Sequence, residues 1–269
     1  MFLQFFHVTI DHQLLTTNDL SAIDFWTKTS GTWINIFTVA IGTTMGLTLK
    51  NRLTQKMQAI VTQGIGLITI WIGLDMAGTM NRVQAGSIAG VILGLLAIAI
   101  GGVIGEWWQI EEKLTALGNF FKKRFRGKGL FTEGFVASSL LFCVGPMTLI
   151  GSLNNGLTGD NTLLTIKATM DGIVAIALAN IYGIGIGCSI LVLLIYQGGL
   201  SLAAGAIAAN LTDPETDPRV LLATGVGGLV IVAIGFNLLE ITKIRVASFL
   251  PAILLSPVIY FIASLLFSS

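Results

Sequence analysis

"GSIAGVILGLLAIAIGGVIG", residues 86–105, is a run of twenty residues without a charge. As an α-helix it is long enough to cross a hydrocarbon layer about 30 Å thick. It lacks the alternation of polar and apolar residues that a barrel strand needs. A helix, which satisfies its own backbone polar groups, is therefore the form expected in lipid. Similar stretches recur at 32–49, 57–79, 132–153, 162–182, 185–209, 220–241 and 246–268. The reading is an all-α, polytopic transmembrane helix bundle of about eight spans, or seven if the fifth is re-entrant.

Composition points the same way. Of 269 residues 54% are hydrophobic and only 11% charged, with a mean hydropathy of +0.84. Soluble domains carry about 25% charged residues and coat themselves with them. Thirty-two glycines against five prolines suit helices that approach closely in lipid. "GSIAGVILG", 86–94, has small-residue spacing that fits bundle packing or a homodimer. The net charge of +1, with no basic stripe interleaved with aromatics outside one loop, gives no nucleic-acid signature. Cys143 and Cys188 lie in apolar spans without metal-ligand spacing and read as buried thiols.

The basic residues orient the spans. Lys50, Arg52 and Lys56 follow span one; Lys113, Lys122, Lys123, Arg124, Arg126 and Lys128 follow span three; Lys243 and Arg245 follow span seven. These three loops share one face and hold eleven of the fifteen Lys and Arg. The positive-inside rule makes that face cytoplasmic, with both termini outside in an eight-span chain. Residues 1–30, opening "MFLQFFHVTI", form an outer-surface tail whose apolar run is too short to span, and His7 and His12 read as solvated. Residues 31–269 form the transmembrane domain. Within it "EWWQIEEKLTALGNFFKKRFRGKG", 106–129, is an interfacial helix suited to membrane lipids by its tryptophans and basic end.

Two spans echo one another. "TQGIGLITIWIGLDM" from Thr62 and "TGVGGLVIVAIGFNL" from Thr224 share Thr, Gly, Leu, Ile and Gly at matching places, and set Asp75 opposite Asn237. Spans two and seven run in opposite directions, so the echo implies an inverted repeat of spans 1–3 and 6–8. Chance coincidence of Gly, Ile and Leu in apolar segments is the competing explanation. Inverted repeats are common in secondary transporters, whose sites lie near the midplane beside interrupted helices.

Ionisable residues in or beside spans are Asp75, Glu133, Lys167, Asp171 and Glu240. A charge at mid-bilayer costs about 2.5–3.5 kcal/mol even on the lenient insertion scale. Lys167 and Asp171, four apart in "TIKATMDGIV", share a helix face and can offset one another. They read either as a self-neutralising structural pair or as a site for an ion or polar group. Neighbouring interruptions favour a site. Gly145 and Pro146 fall mid-span, Asn154 and Asn155 close the same stretch, and Gln197 precedes two glycines. The candidate substrate- or ion-binding residues are thus Asp171, Lys167, Gln197, Asn154, Asp75, Asn237, Gly145 and Pro146. No P-loop, GxSxG or HExxH motif occurs, so neither enzyme chemistry, a cofactor nor a metal centre is expected.

"GTWINIFTVAIGTTMG", "FVASSLLFCVGPMTLIGSLNNGLTGD", "IKATMDG", "LIYQGGLSL" and "KIRVASFLPA" together resemble the YqgA-like family of uncharacterised bacterial membrane proteins (domain of unknown function 554). The likeness runs from about Gly31 to Pro257. It implies a bacterial inner-membrane protein of a kind labelled transporter or permease, with no established substrate. The leading expectation is a secondary transporter or permease for a small ion or polar solute. A passive ion channel, and a non-transporting membrane scaffold or sensor, are the alternatives.

Overall fold

The computed structural model describes residues 23–49, 54–127, 129–208 and 216–267. Eleven α-helices run through them: α1 Phe25–Leu49, α2 Gln55–Ala77, α3 Gly90–Trp107, α4 Ile110–Arg124, α5 Phe131–Cys143, α6 Pro146–Thr158, α7 Thr162–Tyr182, α8 Gly185–Leu193, α9 Gly199–Ala208, α10 Pro218–Leu238 and α11 Leu250–Phe267. The first apolar run with His7 and His12, Lys50, Arg52, Lys128, and most of the acidic loop at 210–219 lie outside the described residues.

Seven of these segments are long and apolar enough to cross a membrane, α8 and α9 counting as one, and the pair α5/α6 bends by 58°. The contacts of that bent pair decide whether it crosses. Its start lies at the C-terminal end of α7, where Phe131 abuts Gly185 and Gly134 abuts Tyr182. Its end lies at the N-terminal end of α1, where Asn155 bonds Thr27 and Gly31. The pair therefore traverses the bundle as one broken span, giving eight crossings. The interruption falls in span four, while span five, α7, is a continuous helix of 21 residues.

Local chemistry explains the ends and breaks. Thr54 caps α2 by accepting from the Met57 amide. Asp217 caps α10, with Pro218 in the first turn, where a missing N–H costs nothing. Pro146 occupies the same place in α6 and so starts a new helix after Gly145. Gly183, at φ +78°, ends α7 and lets the chain turn at once into α8. Inside α11, Pro257 leaves the Ile253 carbonyl without its helical donor, and the Ser256 hydroxyl donates to it at 2.9 Å. Where span three was expected to begin, residues 84–89 form a two-residue hairpin, β1 Gln84–Ala85 with β2 Ile88–Ala89, ahead of α3.

The spans form two groups. In one, α2 packs on α10 and α3 on α11; in the other, α1 packs on α7, and α5/α6 on α8 and α9. Glycines set the closest approaches. A methyl on Gly73 would stand 2.7 Å from the Gly228 carbonyl oxygen, and one on Gly228 2.6 Å from that of Gly73. Gly66 and Gly235 meet in the same reciprocal way, at 3.3 and 3.0 Å. At the two ends of the α3–α11 pair, Gly86 abuts the backbone of Phe267 and Gly105 that of Ser248. Large side chains such as Trp71, Leu95, Val103, Ile195 and Leu254 point outward, as a lipid-facing surface requires.

The described parts of the three basic loops, which follow α1, α3 and α10, gather at one end of the bundle. There α4 lies across the start of α11: Arg245 pairs with Glu106 and Glu112, and Glu111 accepts from the Ala247 amide at 2.7 Å. Burial pushes the Glu111 carboxyl above its ordinary value near 4.5, against the lowering effect of the Ala247 amide and Arg245.

Candidate functional site

Helix α7 brings Lys167 and Asp171 to one face by its 3.6-residue period, and that face points into the bundle. Lys167 is 6% exposed and Asp171 8%, and the ammonium donates to Asp171 Oδ2. Small residues then bring α1 alongside. A methyl on Gly42 would stand 2.2 Å from the Gly172 carbonyl oxygen, and one on Gly46 2.3 Å from that of Ile176. This close approach delivers Asn35 to the pair, the usual service of glycine between membrane helices.

Asn35 is the hub. Its Nδ2 donates to Asp171 Oδ2 at 2.9 Å and to Gln197 Oε1 at 3.0 Å. Gln197 in turn donates through Nε2 to Thr32 Oγ1 at 3.4 Å. Asn35, Gln197 and Thr32 are fully buried. Gln197 lies in a π-helical segment, Leu194–Gly198, between α8 and α9. Such an insertion rotates the side chains that follow it and is frequent at functional sites. Three spans thus converge on one buried ion pair.

The other sequence candidates are placed apart from this cluster or beside it. Gly145 lies at the α5/α6 break and lines a cavity of about 20 Å³ together with Val144, Leu149, Tyr196, Thr224 and Ile253. Pro146 opens α6 directly after it. Asn154 is half-buried on α6. Its neighbour Asn155, fully buried, donates to the Thr27 carbonyl and the Ser30 hydroxyl and accepts from the Gly31 amide, tying α6 to the start of α1. Asp75 is exposed on α2. Asn237 holds the loop after α10 by two bonds of 2.8 Å with the backbone of Ile244.

Asn35 and Thr32 escaped the sequence reading. One signal could have found Asn35: carried back from Thr62 without a gap, the offset that matches spans two and seven pairs Asn35 with Gln197, 162 residues on. Among the described residues no group of three His, Cys, Asp or Glu is set to hold a metal ion.

Residues 30–261 match the model of a family described as a protein of unknown function (DUF554). The chain is 31% identical over 232 residues to an uncharacterised membrane protein, YdfK, of Bacillus subtilis (strain 168), covering 86% of this chain and 96% of that one. It is 30% identical over 233 residues to an uncharacterised protein, YqgA, of Escherichia coli (strain K12), covering 84% and 94%. No solved structure matches it. The chain belongs to this family of membrane proteins, whose function is unknown.

Proposed function

We propose that this protein is a secondary transporter or permease of the bacterial plasma membrane, moving a small ion or polar solute through the cluster of Lys167, Asp171, Asn35 and Gln197. Its basic loops face the cytoplasm by the positive-inside rule. The observation that carries the reading is the Asp171 carboxylate. It is buried among spans, held at once by Lys167 and Asn35, and set beside two interrupted helices. A charged pair at that depth is expensive, and a purely structural contact could be made by apolar residues at no such cost.

Internal symmetry supports the same reading. If α1–α3 and α8–α11 are inverted copies 162 residues apart, matched residues touch crosswise, as in any half-turn relation. Gly66 and Gly73 match Gly228 and Gly235 in sequence, while Gly66 meets Gly235 and Gly73 meets Gly228. The same offset takes Gly86 to Ser248 and Gly105 to Phe267, and Gly86 meets Phe267 while Gly105 meets Ser248. Asn35 and Gln197, matched to one another, bond directly and so would lie on the axis. Transporters built of inverted repeats bind their cargo near that axis and open to one face at a time. The burial of the cluster suits an occluded state of such a cycle better than the open lumen of a channel.

A solute-by-solute uptake screen tests the proposal, using purified protein in liposomes against protein-free liposomes. Uptake of at least one ion or polar solute, saturating with concentration, is expected. A linear, unsaturable conductance would favour a channel, and no flux of any solute would contradict transport.

A further inference from the structure

We infer that the solute crosses lengthwise through the group α1 and α5 to α9, along a hydrated line of side-chain oxygens that passes Asp171. The group α2, α3, α10 and α11 is then a frame that does not line the route. The inference rests on the transporter reading and gives its site two approaches.

Serine and threonine inside a dry helix satisfy their hydroxyls by donating to a carbonyl three or four residues back. Ser138, Ser189 and Ser256 do so, at 2.7, 2.6 and 2.9 Å. Thr43, Ser139, Ser152 and Ser201 do not: each hydroxyl is buried with no partner in the protein, and the same holds for the side-chain oxygens of Asn35 and Asn180. A buried polar atom without a partner is costly, and hydrocarbon offers it nothing. Among the described residues all six lie on α1, α5, α6, α7 and α9, and none lies on α2, α3, α10 or α11. Close packing does not explain this division, because glycine contacts join helices in both groups. What sets one group apart is a supply of buried oxygens and hydroxyls that a passing polar solute, or its water, can use.

The six are spread through the thickness of the bundle. At one end the Ser201 backbone abuts Gly156, next to the Asn155 that ties α6 to the start of α1, and Ser152 lies a turn further in on α6. In the middle stand Asn35, Gln197 and Asp171, with Gln197 about one turn from Ser201. Towards the basic end a methyl on Gly187 of α8 would stand 3.2 Å from Thr43, and Asn180 donates to the Gly46 carbonyl at 3.5 Å while its own oxygen accepts nothing. Ser139 lies on α5, one turn before Cys143. Gly31 and Gly46 mark the two ends on α1, and the helix between them spans about 22 Å of a hydrocarbon layer about 30 Å thick. Between Asn35 and Thr43, α1 carries Val39, which belongs to one apolar cluster with Leu178 and Leu193, all three fully buried. This layer closes the basic-end approach from Asp171 in the state described, as a cycle that opens to one face at a time requires.

Thiol accessibility reads the route without knowledge of the solute, because a buried thiol reacts with a water-soluble reagent only where water reaches it. Full-length protein carrying Cys143→Ala and Cys188→Ala serves as background. Single substitutions Ser201→Cys, Ser152→Cys and Ser139→Cys sample the route, and Ser256→Cys and Ala97→Cys, at positions as deeply buried, sample the frame. The probe is aminoethyl methanethiosulfonate, added to the detergent-solubilised protein and followed by intact mass. Each of the three route variants should react at least tenfold faster than either frame variant. Equal rates in the two groups overturn the route, and reaction at only one or two of the three route positions overturns its continuity. If these variants do not fold, hydroxyl-radical labelling of the wild type decides. Cys143 in the route group and Met80 in the frame are each 6% exposed. Relative to its rate in the unfolded protein, Cys143 should be oxidised at least fivefold faster than Met80, and equal protection overturns the route. Uptake of a solute by protein whose two groups label equally overturns the route and leaves the transporter reading standing. The tenfold contrast without uptake of any solute supports the hydrated line and overturns the transporter reading.

Discussion

Asn35 and Gln197, 162 residues apart in the chain, bond side chain to side chain at 3.0 Å in the interior of the bundle, and the same Asn35 amide group holds the Asp171 carboxylate. One amide therefore ties three spans together. Asn35→Ala should cost about 1–3 kcal/mol, since it strips a donor from two buried acceptors at once. Measured against Gln197→Ala in a double-mutant cycle of unfolding in detergent, the two should couple by about 0.5–3 kcal/mol. Additive losses would mean that the bond contributes nothing.

Lys167 and Asp171 are expected to behave as a unit. Lys167→Met leaves a buried carboxylate uncompensated and should destabilise by about 3–5 kcal/mol. The double variant Lys167→Met/Asp171→Leu removes both charges and should recover most of that loss. Thermal or denaturant unfolding of the three proteins checks the ordering.

The α2–α10 contact depends on the absence of side chains. Gly73→Leu drives a side chain into the Gly228 backbone and should destabilise by more than about 2 kcal/mol. Gly64→Leu, on the same helix but with nothing within 4 Å, should stay within about 1 kcal/mol of wild type. Equal losses at both positions would show that helix propensity, and not packing, governs them.

The contact between α4 and the start of α11 should weaken as pH rises. Burial raises the Glu111 carboxyl above its unfolded value, so in the window between the two values the folded state binds more protons than the unfolded. Its contribution to stability is then fully present below the unfolded value near 4.5 and is lost as pH rises through the folded one. Glu111→Gln, which can still accept from the Ala247 amide, should remove that part of the slope of stability against pH upward from about 4.5. Unfolding midpoints of the two proteins between pH 4 and pH 8 measure it, and parallel profiles would contradict the assignment.

The spans, the Lys167–Asp171 pair and the break at Gly145 were legible in the sequence, because each is local. Run length predicts a crossing, a spacing of four predicts a shared face, and glycine followed by proline predicts an interruption. What escaped depends on partners distant in the chain. Asn35 sits alone between Ile34 and Ile36 in an apolar run, and only the packing of α1 on α7 gives it a role. Which of Asn154 and Asn155 turns inward depends on the helical phase that restarts at Pro146. Polarity within a span does not say which way a residue faces: Asp75 lies exposed on α2, whereas Asp171 is buried. The echo between spans two and seven was visible, but the crosswise meeting of its glycines is a property of the fold.

Passage of cargo by Asp171 can be read from flux through liposomes containing equal amounts of wild type, Asp171→Asn and Glu240→Gln, each checked for folding by gel filtration. Glu240 is exposed at the basic end of the bundle and serves as the control for charge removal. Asp171→Asn should lower the initial rate at least 50-fold while Glu240→Gln stays within twofold of wild type. Flux through Asp171→Asn equal to that of the wild type would show that cargo does not pass by Asp171.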